Sequence, residues 1–233
     1  MKKSSTLADR YDANGYAVVE HILSDLECDI LKKEARHVLR EHADDNATVY
    51  VGAGVQSDVF RKLADDPRII DVLRLLMPGG VMFLTDKIVF KSGEKTFATP
   101  WHIDAFYWAD TRPKLSVWIP LDDVSANNGT LKVVPASHLE QWSMDRNNRK
   151  DMGGEFGKLI KNETWDPADE VVCEIPRGSV VIFSDRLLHA SCPNTACADR
   201  YTIISTYHAP AEDEPFDTKF PARHVVVPAA ADT

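Results

Sequence analysis

In this chain of 233 residues, one short stretch has residue types and a spacing suited to binding a metal ion. His102-Ile103-Asp104 lies in Thr99-Pro100-Trp101-His102-Ile103-Asp104, which reads as extended. On a strand, residues i and i+2 project from one face, so an imidazole and a carboxylate can reach the same ion. A third ligand from a neighbouring strand would complete a two-histidine, one-carboxylate face. That arrangement leaves three positions of Fe(II) open for a chelating cosubstrate and dioxygen. With eight histidines in the chain, about one His-x-Asp is expected by accident. His42-Ala43-Asp44 repeats the pattern, and His138-Leu139-Glu140 is its glutamate version. His42 and Asp44 end a predicted helix, where i and i+2 do not face each other. His138 follows Pro135-Ala136-Ser137 at what reads as a helix start. Only His102 and Asp104 are placed to chelate, with a plain surface pair as the alternative on spacing alone.

His189 supplies a candidate third ligand. Its neighbours Leu187, Leu188 and Ala190 are apolar, so the ring is expected to point into protein. The competing interpretation is an ordinary core histidine. Ser191 shares its strand face, and Arg200 opens the next strand, Tyr201 to His208. Alternation puts Arg200 on the interior with Thr202, Ile204 and Thr206, and turns Tyr201, Ile203 and Ser205 the other way. A buried arginine is unfavourable unless it meets an anion. Its guanidinium fits a carboxylate in a two-point fork. An arginine one strand from a metal-binding histidine is what a dicarboxylate cosubstrate would require.

These side chains need a framework, and the rest of the chain predicts one. Ser24 and Glu27 form a capping box ahead of Leu26, Ile30, Leu31, Ala35, Val38 and Leu39, which recur at helical spacing. A second helix is predicted over about Ser57 to Leu76, stopping at Pro78-Gly79-Gly80. A short strand is expected between Tyr16 and Ile22, after Asn14-Gly15. From Val81 onward the texture is β-branched and aromatic. Strands are predicted at Val81–Lys91, Thr99–Asp104, Leu115–Leu121, Thr130–Pro135, Val171–Ile175, Ser179–Phe183, Leu187–Ser191 and Tyr201–His208. So many short strands suggest a sandwich or closed barrel. The polar insertion Leu139–Asp169, with Gly153-Gly154, Trp142 and Trp165, breaks the rhythm and is the candidate lid. A helical part (about 1–80), a β core (about 81–210) and this insertion are expected to form one domain over residues 1–233.

Composition narrows the function. The chain has 27 basic and 36 acidic side chains, a net charge of −9, so it lacks the overall basic balance of a nucleic-acid binder. No apolar stretch follows Lys2 and Lys3, and no uncharged run approaches the ~18 residues of a membrane span. Cys28, Cys173, Cys192 and Cys197 form no CxxC and are too sparse for a disulfide framework. The expectation is a cytoplasmic protein with reduced thiols and a small-molecule substrate; oligomeric state is not indicated.

The motifs, taken in order, resemble the phytanoyl-CoA dioxygenase family of Fe(II)- and 2-oxoglutarate-dependent oxygenases. They are Asn14-Gly15-Tyr16, Trp101-His102-Ile103-Asp104, Leu115 to Val124 running into Asn128-Gly129-Thr130-Leu131, Val133-Val134-Pro135-Ala136-Ser137-His138, and Gly178 through His189 to Arg200. The resemblance covers roughly Leu7 to Pro210. It implies a mainly β fold with helices (α+β), a double-stranded β-helix or jelly roll of cupin type with N-terminal helices packed on one sheet. His102, Asp104 and His189 match the iron ligands, and Arg200 matches the anchor for the distal carboxylate of 2-oxoglutarate, where Ser191 often assists. Lys87 and Thr99 fall where further cosubstrate contacts occur in similar enzymes. The implied cofactors are Fe(II), 2-oxoglutarate and O₂.

Halogenating relatives replace the carboxylate ligand with a small residue, so Asp104 implies hydroxylation or a related oxidation. Trp108 matches an aromatic position near the iron in some relatives; with Phe106, Tyr107 and Trp118 it forms a candidate substrate pocket, although Trp118 reads at least as well as core. Two departures stand out: Ala136 replaces the usual glycine before Ser-His, and Ser179 replaces the aspartate common after Gly178. The chain is short for the family, which favours a small polar metabolite or natural-product intermediate over an acyl-CoA. The alternative is a non-oxidative cupin-like metal-binding isomerase or small-molecule sensor, which would have no use for Arg200.

Overall fold

The computed structural model describes residues 6–44, 47–107, 112–145, 158–161, 164–210 and 220–229. The chain opens on a helix that the sequence reading missed, α1 (Leu7–Asn14). Its capping box is Thr6 with Asp9: the Asp9 N–H donates to Thr6 Oγ1 at 3.1 Å and the Thr6 N–H to Asp9 Oδ2 at 2.8 Å. Gly15 ends the helix at φ 78°, and a Cβ there would lie 2.5 Å from His138 Nδ1, so only glycine fits. The chain then enters β1 (Tyr16–Val19).

Ser24 and Glu27 cap α2 (Asp25–His42) as predicted. This helix buries Cys28, Leu31, Ala35 and Val38, but Leu26 and Ile30 are exposed. The apolar stripe is therefore narrower than the sequence suggests. After β2 (Val49–Val51) and the single turn α3 (Ala53–Gln56), the predicted long helix is two helices. They are α4 (Asp58–Ala64) and α5 (Pro67–Leu76). Asp66 accepts the Arg68 N–H at 2.9 Å as a new cap, and Pro67 takes the first helical position, where its missing N–H costs nothing.

The strands that follow are β3 (Val81–Lys91), β4 (Thr99–His102), β5 (Lys114–Pro120), β6 (Leu131–Val133), β7 (Val171–Val172), β8 (Val180–Ser184), β9 (His189–Ser191), β10 (Arg200–His208) and β11 (His224–Val227). The last of these was not anticipated, and β6 and β7 are shorter than predicted. All pairings are antiparallel. A large sheet runs β1-β8-β5-β10-β3-β11, with β2 also on β3, and a small sheet runs β4-β9-β6-β7. Among the described residues the sheets do not close into a barrel.

Alternation sorts the side chains of the large sheet into two cores. Leu115, Val117, Ile119, Val180, Ile182, Ile203 and Tyr207 face the helices and pack with Leu31, Phe60 and Leu73. Tyr207 also donates its hydroxyl proton to the Ala64 carbonyl at the end of α4 (3.0 Å). On the opposite face, Val89, Trp118, Val181, Phe183 and Ile204 meet Leu131 and Val133 of the small sheet. The result is a two-sheet, cupin-like sandwich with helices on one side, as the resemblance implied. Within the insertion, Met144 bridges Ile160 and Pro167–Asp169 forms a 3-10 turn, while Gly153 and Gly154 lie outside the described residues. No helix among the described residues is long and apolar enough to cross a membrane.

Candidate metal and cosubstrate site

His102 and His189 are brought together by the pairing of β4 with β9, where they are register partners. Their rings lie 4.2 Å apart, centroid to centroid. Asp104 arrives differently from the sequence reading. The β4 register shifts between Thr99 and His102, the strand ends at His102, and Asp104 opens a 3-10 turn, Asp104–Tyr107. That turn, not strand alternation, swings the carboxylate to the histidines. Asp104 Oδ1 stands 3.6 Å from His102 Nε2 and 3.7 Å from His189 Nε2. One donor atom from each of the three residues lies within 4.8 Å of the others, and all three residues are buried.

The surroundings fit a metal. His102 Nδ1 donates to the Pro100 carbonyl at 2.8 Å, and His189 Nδ1 to the Leu187 carbonyl at 2.9 Å. A carbonyl can only accept, so each imidazole carries a proton on Nδ1 and turns Nε2 toward Asp104. The Ser116 hydroxyl donates to Asp104 Oδ2 at 3.3 Å, orienting the carboxylate from behind. Burial, then the neighbouring His102, keeps His189 neutral. For Asp104, burial works against the charge, but its polar surroundings, with the Lys87 ammonium among them, more than offset it and hold the carboxyl well below its usual range. A neutral His189 imidazole and an ionised Asp104 carboxylate are protonation states suited to holding a metal.

A cavity runs from these three residues to Arg200. Its walls include Lys87, Val89, Thr99, Trp118, Leu131, Phe183, Ser191 and Ile204. Arg200 is almost wholly buried, with its guanidinium 5.9 Å from the centre of the Trp118 ring. It donates to the Asn128 carbonyl (3.3 Å), the Gly129 carbonyl and the Thr202 hydroxyl. No carboxylate among the described residues forms an ion pair with it; Asp122, whose charge it feels, is paired with Lys32. Burial lowers its pKa to about 10. A desolvated guanidinium at the back of a cavity has the chemistry to bind an anion.

The family model for phytanoyl-CoA dioxygenase matches residues 11–202. The chain belongs to this family of iron- and 2-oxoglutarate-dependent oxygenases. Among relatives, ectoine dioxygenase of Sphingopyxis alaskensis is 27% identical over 94% of this chain and 80% of that protein. L-proline trans-4-hydroxylase of Streptomyces griseoviridis is 24% identical over 89% of this chain and 88% of that protein. The crystal structure of the epimerase SnoN in complex with Fe3+, alpha ketoglutarate and nogalamycin RO superposes with a TM-score of 0.72 at 23% identity, covering 86% of this chain and 81% of that one.

In this dioxygenase the sequence-predicted residues divide into three groups. Arg200, Ser191, Thr99, Lys87 and Trp118 line the same cavity as the three metal-site residues. Trp118 belongs to the core between the sheets as well, so both of its interpretations hold. Tyr107 lies edge-on to His102 at 6.4 Å, and its hydroxyl accepts the Lys158 N–H at 3.3 Å. Phe106 does not join the cavity wall: the 3-10 turn carries it to Ile103, Val134, Ile160 and Leu188. Trp108 lies outside the described residues. The accidental motifs stay apart: His42 is exposed near Tyr50, and His138 Nε2 contacts the Asp12 carbonyl.

One buried group went unnoticed in the sequence. Lys91 is fully buried beside Arg200, its register partner, although it carries the same strand parity as Lys87 and Val89. Strand alternation could have found it.

Proposed function

We propose that His102, Asp104 and His189 hold Fe(II), that Arg200 anchors the distal carboxylate of 2-oxoglutarate, and that the enzyme hydroxylates or otherwise oxidises a small polar metabolite. The observation that carries this reading is the buried guanidinium, with no carboxylate partner among the described residues, facing the same cavity as three convergent side chains able to ligate a metal. When bound, iron and 2-oxoglutarate supply the oxidation, with O₂ consumed and succinate and CO₂ released.

The residues of the chain provide everything else. The Pro100 and Leu187 carbonyls fix the two imidazoles, and Ser116 fixes Asp104. Trp118, Leu131 and Phe183 keep the cavity wall apolar, which strengthens the attraction between Arg200 and a carboxylate. Thr99 and Ser191 add polar groups at that end. Ectoine and L-proline, the compounds named for two relatives, are small and polar, which supports the same substrate class. The test is a metabolite screen with Fe(II) and 2-oxoglutarate, read out as succinate formed. Arg200→Ala should remove that activity; retention of substrate turnover without 2-oxoglutarate would instead favour a non-oxidative metal enzyme.

A further inference from the structure

Lys91 has no part in the function described so far, yet its placement is costly. It is fully buried, and strand register sets it directly opposite Arg200. Two cations side by side in a protein interior repel each other and lose their hydration. Gly129 makes the arrangement possible: a Cβ there would lie 2.7 Å from Lys91 Cδ and 3.2 Å from Arg200 Nη2. No carboxylate among the described residues pairs with Lys91. Its Nζ donates instead to Ser191 Oγ at 2.7 Å and to the Cys192 carbonyl at 2.6 Å.

The contact with Ser191 has a specific effect. Ser191 Oγ also accepts the Thr99 backbone N–H at 3.1 Å. A hydroxyl oxygen has two lone pairs and one proton. Lys91 and Thr99 engage both lone pairs, so the hydroxyl is left to act as a donor, and Ser191 lines the cavity with Arg200. Among the described residues, Arg200 directs three of its five N–H groups at Asn128, Gly129 and Thr202, which leaves two for a ligand.

We propose that Lys91 is a positioning residue for the distal carboxylate of the cosubstrate: it holds the Ser191 hydroxyl as a donor into the cavity and adds a second cationic group behind Arg200. This rests on the reading that 2-oxoglutarate occupies the cavity.

The balance of charge around Lys91 agrees with that role. Burial, then Arg200 on β10, pushes its amine down to about 6, while Cys192 after β9 works in the opposite direction. The Phe97 ring, 4.5 Å away, favours the charged form. A neutral amine has two N–H groups, and Ser191 and Cys192 accept two. An entering carboxylate supplies the anion that makes the ammonium form favourable.

The test is calorimetric titration of 2-oxoglutarate and of 2-oxovalerate, which has the same chain length but no distal carboxylate, into Ni(II)-loaded protein. Wild type is expected to prefer 2-oxoglutarate strongly. Lys91→Met should lose about tenfold or more of that preference, the scale of a hydrogen bond to a charged group, with 2-oxovalerate bound as before. In a Ser191→Ala background the same substitution should cost markedly less, because part of its effect passes through that hydroxyl. The ligand-free melting temperature should match or exceed that of wild type, since a buried, desolvated amine is replaced by an apolar side chain. If the methionine variant does not fold, Lys91→Gln is expected to show the same loss of preference. Retained preference, or equal weakening of both ligands, would overturn the proposal. A wild type that binds both ligands equally would overturn the cosubstrate reading itself, and the role of Lys91 with it.

Discussion

The two faces of the large sheet are made by the same strands and have opposite characters. On β10, Tyr201, Ile203 and Tyr207 look toward the helices, while Arg200, Thr202, Ile204 and Thr206 look toward the small sheet. On β3, Ile88 packs under the helices, and Lys87, Val89 and Lys91 point the other way. The helix-facing side is mostly apolar and supplies stability through burial. The inner side keeps charged and polar groups out of water at an energetic cost, which is repaid only when ligands arrive. Period-two alternation lets one strand serve both purposes one residue apart. Substitutions on the inner face should therefore change binding and spare the fold, and those on the helix face should do the reverse.

The strongest test of that contrast is Asp104→Ala. It is expected to abolish metal retention, measured by metal analysis after dialysis, and with it succinate formation. The melting temperature of the metal-free protein should hold or rise, because a buried charge is gone. Next comes the helix-facing core. Phe60→Ala should lower unfolding free energy by about 3–5 kcal/mol in urea titration, with metal affinity of the folded protein unchanged.

A smaller effect concerns pH. Lys91 titrates near about 6 in the free enzyme, and a bound carboxylate raises that value. Below that pH the amine is already charged and affinity is flat. Above it each binding event takes up a proton, so 2-oxoglutarate affinity should weaken by up to about tenfold per pH unit until the bound-state pKa is passed. Lys91→Met should remove this component of the pH profile, measured by the same titration. The smallest effect concerns Ala136, which adopts φ 63° in the left-handed region that favours glycine. Ala136→Gly should stabilise the protein by up to about 1 kcal/mol in thermal unfolding, without changing cosubstrate affinity.

Much of this was legible in the chain. Ser24 and Glu27 mark the start of α2, and strand alternation alone puts Arg200 on one face with Thr202 and Ile204. The pair at His102 was separable from its imitation at His42 because a helix end cannot aim i and i+2 together. Some misses were local signals read too lightly. Asp66-Pro67 is a cap followed by a first-turn proline, and Thr6 with Asp9 is a capping box. Others had no local signal: nothing near Phe106 says that a 3-10 turn will carry it away from the cavity.

By itself, the order of residues determined the helix caps, the two-residue rhythm of the strands and the chemical types able to hold a metal and an anion. Those properties depend on side chains within a few positions of one another, so they are written locally. Tertiary structure alone decided that His102 meets His189, that a turn brings Asp104 to them, and that Lys91 stands beside Arg200. Each of these meetings depends on the register between strands distant in the chain, and register is settled by the burial of both sheets at once.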